Sequence, residues 1–118
     1  MLFNAEIETL FTGFKVNNVA IDVAYLNYAG HNDSYIVYSQ VDTTNSLATD
    51  DKIEGVGAVY DFDFYSKGNY SSVIAAAKAL LEGSDWVWLP NRDSPDFYDT
   101  DTGLYHKTVC FGKLLQIT

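Results

Sequence analysis

Two hydrophobic periods alternate along the chain and divide it into seven elements. In residues 1–14 the apolar side chains Phe3, Ile7, Leu10, Phe11 and Phe14 recur at helical spacing, which predicts an amphipathic helix. Glu6 and Glu8 fall in its early turns, where negative charge suits the helix dipole, and Gly13 with Asn17-Asn18 marks its end. Residues 23–28 and 35–41 read as short strands around the turn cluster Gly30-His31-Asn32-Asp33, and the pair is expected to form a hairpin. Residues 56–65 alternate strictly. Val56, Ala58, Tyr60, Phe62 and Phe64 share one face, while Val59, Asp61, Asp63 and Tyr65 share the other. Such a strand has one buried side and one that is wet or meets a partner.

After the turn Ser66-Lys67-Gly68, Asn69 is placed to cap a second helix with the stripe Val73, Ile74, Ala77, Leu80 and Leu81, closed by Gly83. Residues 86–89 form a brief strand stopped by Pro90. Residues 92–103 read as an acidic loop and 104–111 as the last strand, with 114–118 as its extension. The order helix, three strands, helix, two strands predicts a single α+β domain over residues 1–118. Its sheet is expected to be largely antiparallel, with room for mixed pairing, and to have four to five strands with both helices on one face. Residues 42–54 make a connection longer than a hairpin loop needs, as expected of an arm that contacts a neighbour or of a mobile loop.

Composition narrows the function. Sixteen acids against seven bases give a net charge of −9, which argues against a surface that grips phosphates. Nine tyrosines suit either strands or protein contacts. No apolar run approaches the ~20 residues of a membrane span, and no leader peptide is expected at the N-terminus. Cys110, the one cysteine, lies in an apolar strand pattern and is expected to be a small core residue. With two histidines it cannot make a usual zinc site, and its solitude points to a reducing cytoplasm or a particle assembled there.

Catalytic chemistry is mostly refused. Asp99-Thr100-Asp101-Thr102-Gly103 begins like a calcium loop, but Gly103 stands at position five, not six, and Cys110 stands where the bidentate glutamate belongs. Asp61 and Asp63 lie two apart on one strand face, which alternation alone produces. No nucleophile elbow, phosphate loop or dinucleotide loop is present. The glycines of Gly55-Val56-Gly57 suit a bulge or turn. No catalytic residue, cofactor or metal is expected, and the chain is not expected to be an enzyme.

Three stretches carry a resemblance. They are Val23-Ala24-Tyr25 through Tyr35-Ile36-Val37-Tyr38, then Asp63-Phe64-Tyr65-Ser66-Lys67-Gly68-Asn69-Tyr70, and Asp101-Thr102-Gly103-Leu104-Tyr105-His106-Lys107-Thr108. In order and spacing they resemble the tail-terminator (tail-completion, head-to-tail joining) proteins of long non-contractile-tailed phages and prophages of Gram-positive bacteria. The likeness covers most of the chain, and residues 86–96 depart from it. It implies a virion protein, assembled in the host cytoplasm, that forms a ring, expected to be a hexamer. Such a ring binds the last ring of the tail tube protein, stops tube growth and offers a surface to the head connector and neck proteins. Genomic DNA would pass through the lumen without specific binding, and no membrane is involved. An acidic lumen repels phosphates, so Asp42, Asp50, Asp51, Asp61 and Asp63 are candidates for its wall, and Tyr65 joins them as a candidate subunit contact. Another neck or head-completion protein, a small binding module outside the virion, and a carboxylate-dependent hydrolase remain alternatives.

Overall fold

The computed structural model describes residues 3–41 and 56–114. Its centre is β5 (Val56–Ser66), flanked on one side by β4 (Tyr35–Val41) and on the other by β8 (Leu104–Leu114), both antiparallel to it. The period-two pattern explains this position. Ala58, Tyr60, Phe62 and Phe64 all point to one side and are buried there, so the strand needs partners on both edges and cover on that face. The pairing of β5 with β8 slips at Gly57, between Val56 and Ala58, as the glycine-rich start of the strand predicted.

Cover comes from α1 (Asn4–Leu10) and α2 (Ser71–Glu82), whose apolar stripes join one core. Ile7 and Phe11 of the first helical segment, and Ala77 and Leu81 of the second, are buried against Ile36, Tyr38, Phe62, Val109 and Phe111. Asn69 does supply an oxygen to the start of α2, accepting from the Ser71 N–H at 2.8 Å. Gly83 ends the helix in ordinary right-handed conformation; the left-handed residue is Asp85, two positions on. The first helix is shorter than its periodicity suggests. It stops at Leu10, and Phe11 and Phe14 pack from the turns that follow, with ring centroids 5.0 Å apart.

The fold is α+β and mostly antiparallel, as expected, with three differences. Asn17 and Asn18 do not merely end a helix: both have positive φ and form the turn of a small hairpin, β1 (Lys15–Val16) with β2 (Val19–Ala20). β3 (Asp22–Tyr25) and β4 are parallel, not a hairpin. The chain turns at Leu26, whose φ is +63° and whose N–H reaches Tyr38 O, and then runs back the length of β3 before β4 begins. The acidic loop contains a strand, β7 (Phe97–Asp99), which pairs with the start of β8 through the turn at Gly103. The main sheet therefore has six strands, not four to five, in the order β3-β4-β5-β8, with β6 (Trp86–Trp88) and β7 sharing the far edge of β8.

Between β6 and β7 that edge is satisfied by the intervening chain. Leu89 N–H donates to Cys110 O, Ser94 N–H donates to Thr108 O, and the side chains of Asp93 and Ser94 accept from the N–H groups of Cys110 and Thr108. Asp93 also accepts from Trp88 Nε1 at 2.9 Å, so one carboxylate ties the connection to the sheet.

The first helix meets the end of β8 and the start of β6 in a polar knot. Glu6 accepts from Trp86 Nε1 at 3.0 Å and from Lys113 Nζ at 2.7 Å, and Lys113 also donates to Ser84 O. The lysine side chain is only 11% exposed, so removing its carboxylate leaves a largely desolvated charge and an unpaired indole N–H. Glu6→Ala is expected to lower stability by ~2 kcal/mol, and Glu6→Gln by less because it keeps an oxygen for Trp86. Urea unfolding followed by tryptophan fluorescence measures both.

Candidate functional site

The second face of the sheet carries the polar and phenolic residues, while both described helices pack on the first. Strand register fixes their rows. Tyr35, Tyr65, His106 and Phe97 stand side by side on β4, β5, β8 and β7, and Val37, Asp63 and Thr108 form the next row. Ser39, Asp61 and Cys110 form a third.

The first row is a continuous stack of rings. Tyr28 lies on Tyr35 at 4.1 Å, Tyr35 on Tyr65 at 4.7 Å, and Tyr65 on His106 at 4.7 Å with planes 5° apart; Phe97 closes it at 5.7 Å from His106. Tyr28 is not on a strand. It is anchored by donating to Asp22 Oδ2 at 2.7 Å, and Gly30 packs so closely on its ring that a side chain there would collide with it. Cross-strand aromatic pairs each contribute a few tenths of a kcal/mol to about 1 kcal/mol, so the row stiffens the sheet across its width. Its geometry also decides what it can bind. Neighbouring rings cover one another's faces and leave mainly edges toward solvent, so a base or sugar finds no open ring face inside the row on which to stack.

Asp61, Asp63 and Tyr65 do share this face, and none of the three is fully exposed. Asp63 accepts from the Thr108 hydroxyl, and His106 Nε2 lies 4.0 Å from it; their side chains are 27% and 32% exposed. Burial pushes the Asp61 carboxyl up. A hydrogen bond from the Cys110 thiol opposes this, Asp63 and Asp93 add to it, and the Arg92 guanidinium works against it. Burial likewise pushes the Cys110 thiol up to about 12, with the Asp61 charge reinforcing the shift. This side, expected to be wet or to meet a partner, is not uniformly exposed. Val59 and Cys110 are buried on it, and exposure grows only toward Tyr65 and His106.

Asp42, Asp50 and Asp51 lie outside the described residues. Among the described residues no group of three His, Cys, Asp or Glu side chains is arranged to hold a metal ion, and no helix is long and apolar enough to cross a membrane. The acidic turn at Asp99 is a hairpin turn: Gly103 N–H donates to Asp99 O and Asp101 N–H to Asp99 Oδ1.

What sequence reading missed is the exposed apolar residues at the two sheet margins. Val19 and Leu26 flank β3 in the chain and are 57% and 63% exposed. Phe97, Tyr98 and Tyr105, on the β7–β8 hairpin at the other margin, are 42–54% exposed. Leu26 carries no local signal for its left-handed backbone, and Phe97 and Tyr98 fall in the 92–103 stretch that reads as a loop.

Two measurements follow from the electrostatics. An acid whose folded pKa is raised opposes folding once ionised, and that penalty disappears as pH falls below the ordinary carboxylate range. Asp61→Asn is expected to raise the urea midpoint at pH 7 and to leave it unchanged near pH 3. Cys110 is expected to resist a thiol reagent at pH 8 in the native protein and to react fully in denaturant, because the thiolate is both scarce and inaccessible. No family model, curated protein or solved structure matches the chain.

Proposed function

We propose that this protein is a structural component of a virion that works as a ring of identical copies, capping a phage tail tube, ending its growth and presenting a surface to the head connector. The observation that carries the reading is the pairing of unlike apolar margins. Leu26 follows β3 at one edge of the six-stranded sheet, Val19 is exposed on the small β1–β2 hairpin that leads into β3, and Phe97, Tyr98 and Tyr105 occupy the other edge. Scattered exposed apolar residues need no explanation, but Leu26 and the Phe97, Tyr98 and Tyr105 group lie at opposite edges of one sheet. Two different patches on opposite sides of a subunit meet head to tail, and a head-to-tail contact with the right rotation closes into a ring.

The chemistry of the second face supports the same reading. Its rings stack on each other, its carboxylates are engaged with a hydroxyl and a thiol, and inside the row no ring face is open to a base. A net charge of −9 lets DNA pass a lumen without sticking. Asp61 and Asp63, half-buried with partners of their own, suit the lumen wall less well than the exposed Asp99 and Asp101 at the β7–β8 turn.

The test is tail length. Particles assembled without the protein are expected to carry tails of uncontrolled length, and so are particles supplied only with Leu26→Asp or Phe97→Asp, which should change monomer stability by no more than about 0.5–1 kcal/mol. Electron microscopy of the particles reads the outcome. Tails of normal length joined to heads would overturn the reading; normal tails without heads would favour a different neck role.

A further inference from the structure

A groove of about 760 Å³ opens between the start of α2 and the end of the sheet. One face of the helix forms its wall: Ser71, Ile74, Ala75 and Lys78 follow the spacing i, i+3, i+4, i+7. Tyr105 and Lys107 of β8 form its floor. They share the strand face of Val109 and Phe111 but lie outside the core. The turn at Lys67 borders it where β5 leads into the helix. Three of the chain's seven bases thus surround one depression, in a protein with 16 acids.

The three cations can take a further anion. Lys78 Nζ stands 3.4 Å from the centre of the Trp88 ring, a contact that leaves its charge unneutralised. Lys107 Nζ gives one of its three donors to the neutral acceptor Ser94 O, at 3.0 Å. Lys67 Nζ lies 3.4 Å from Asp33, but both side chains are more than half exposed, so a ligand carboxylate replaces that pair at little cost. The lining carboxylate, Asp96, already accepts from the Tyr70 hydroxyl. Between the charges the surface is apolar, from Ile74, Ala75 and the exposed ring of Tyr105. Its length is also set. Ser71 and Lys78 are seven helical residues apart, ~10 Å, a distance an extended chain covers in about three residues.

We propose that this groove binds a short extended acidic segment of a partner protein. Carboxylates about three residues apart meet the lysines, and an apolar side chain between them rests on Ile74, Ala75 and Tyr105. Charge complementarity chooses this occupant, because the groove gathers bases on a protein whose net charge is −9. A nucleic-acid strand fits it less well: its charge is continuous, and Asp33 and Asp96 stand among the lysines. The inference does not depend on ring formation or on a tail.

Fluorescence polarisation of a labelled hexapeptide, Glu-Asp-Leu-Phe-Asp-Glu, tests it on the intact protein. Binding is expected to saturate, to weaken severalfold in high salt and to weaken about tenfold when the acids become their amides. Lys67→Glu, and Ala75→Glu at an exposed helical position of the wall, should each weaken it about tenfold. Lys15→Glu makes the same charge reversal on β1, outside the groove, and should leave it unchanged. Equal binding of the amide peptide, equal effects of Lys67→Glu and Lys15→Glu, or displacement of the peptide more readily by a thymidine oligonucleotide than by unlabelled peptide would overturn the proposal.

Discussion

The rest of the structure depends on the antiparallel pairing of β5 with β8, eleven residues each, matched over nearly their whole length. Alternation along β5 sends Tyr60, Phe62 and Phe64 to one face, and the register sets Val109 and Phe111 beside them. Tyr60, Phe62, Phe64 and Phe111 are all fully buried, and each large ring withdrawn from water favours the fold by roughly 1.5–3 kcal/mol. The helices and β6 follow from that demand. Phe3 and Phe11 bring α1 onto Trp86 and Phe62, and Tyr60 uses its hydroxyl to hold the entry to α1, accepting from Phe3 N–H at 2.9 Å and donating to Asn4 at 2.8 Å. A buried phenol with a bonded tip lets one side chain serve both packing and helix placement.

Residues whose role is set locally were legible in the sequence. The alternation of residues 56–65, the stripe from Val73 to Leu81, the Asn69 oxygen at the start of the second helix and the burial of Cys110 all appear where periodicity and residue type placed them. What escaped depended on long-range closure. Whether β3 runs with or against β4 turns on the backbone of Leu26, a residue type that rarely adopts positive φ, and so the turn cluster that follows looked like a hairpin. β7 is three residues long with every side chain exposed, and it exists because β8 extends past β6 and offers a free edge. Of the candidate surface, Asp61, Asp63 and Tyr65 were rightly placed on one face, but their half-burial reflects neighbours on β8 and the 89–96 connection that no local pattern encodes.

The row from Tyr28 to Phe97 ties that second face to the sheet margins. It begins beside β3 and ends on β7, so both apolar margins sit at the ends of one stiff line of rings. A subunit that joins its neighbours by its two edges transmits load across its width. A sheet braced by cross-strand stacking on one face and an aromatic core on the other resists shear between strands better than one braced on a single side. Covered ring faces suit that role and disfavour a ligand platform.

Charge then decides how copies approach. The seven bases are not spread evenly among sixteen acids: Lys113 is spent in the knot with Glu6, and three more line a single groove. Among the described residues the other exposed charges are mostly acidic, so orientations of two copies that bring them together are disfavoured. Apolar margins alone would permit several slipped or inverted contacts. An orientation that set acidic side chains of one copy near Lys67, Lys78 and Lys107 of another would relieve that repulsion. A mostly repulsive surface with a local cationic patch narrows the registers open to self-association, and a single repeated register is what closure into the proposed ring would require.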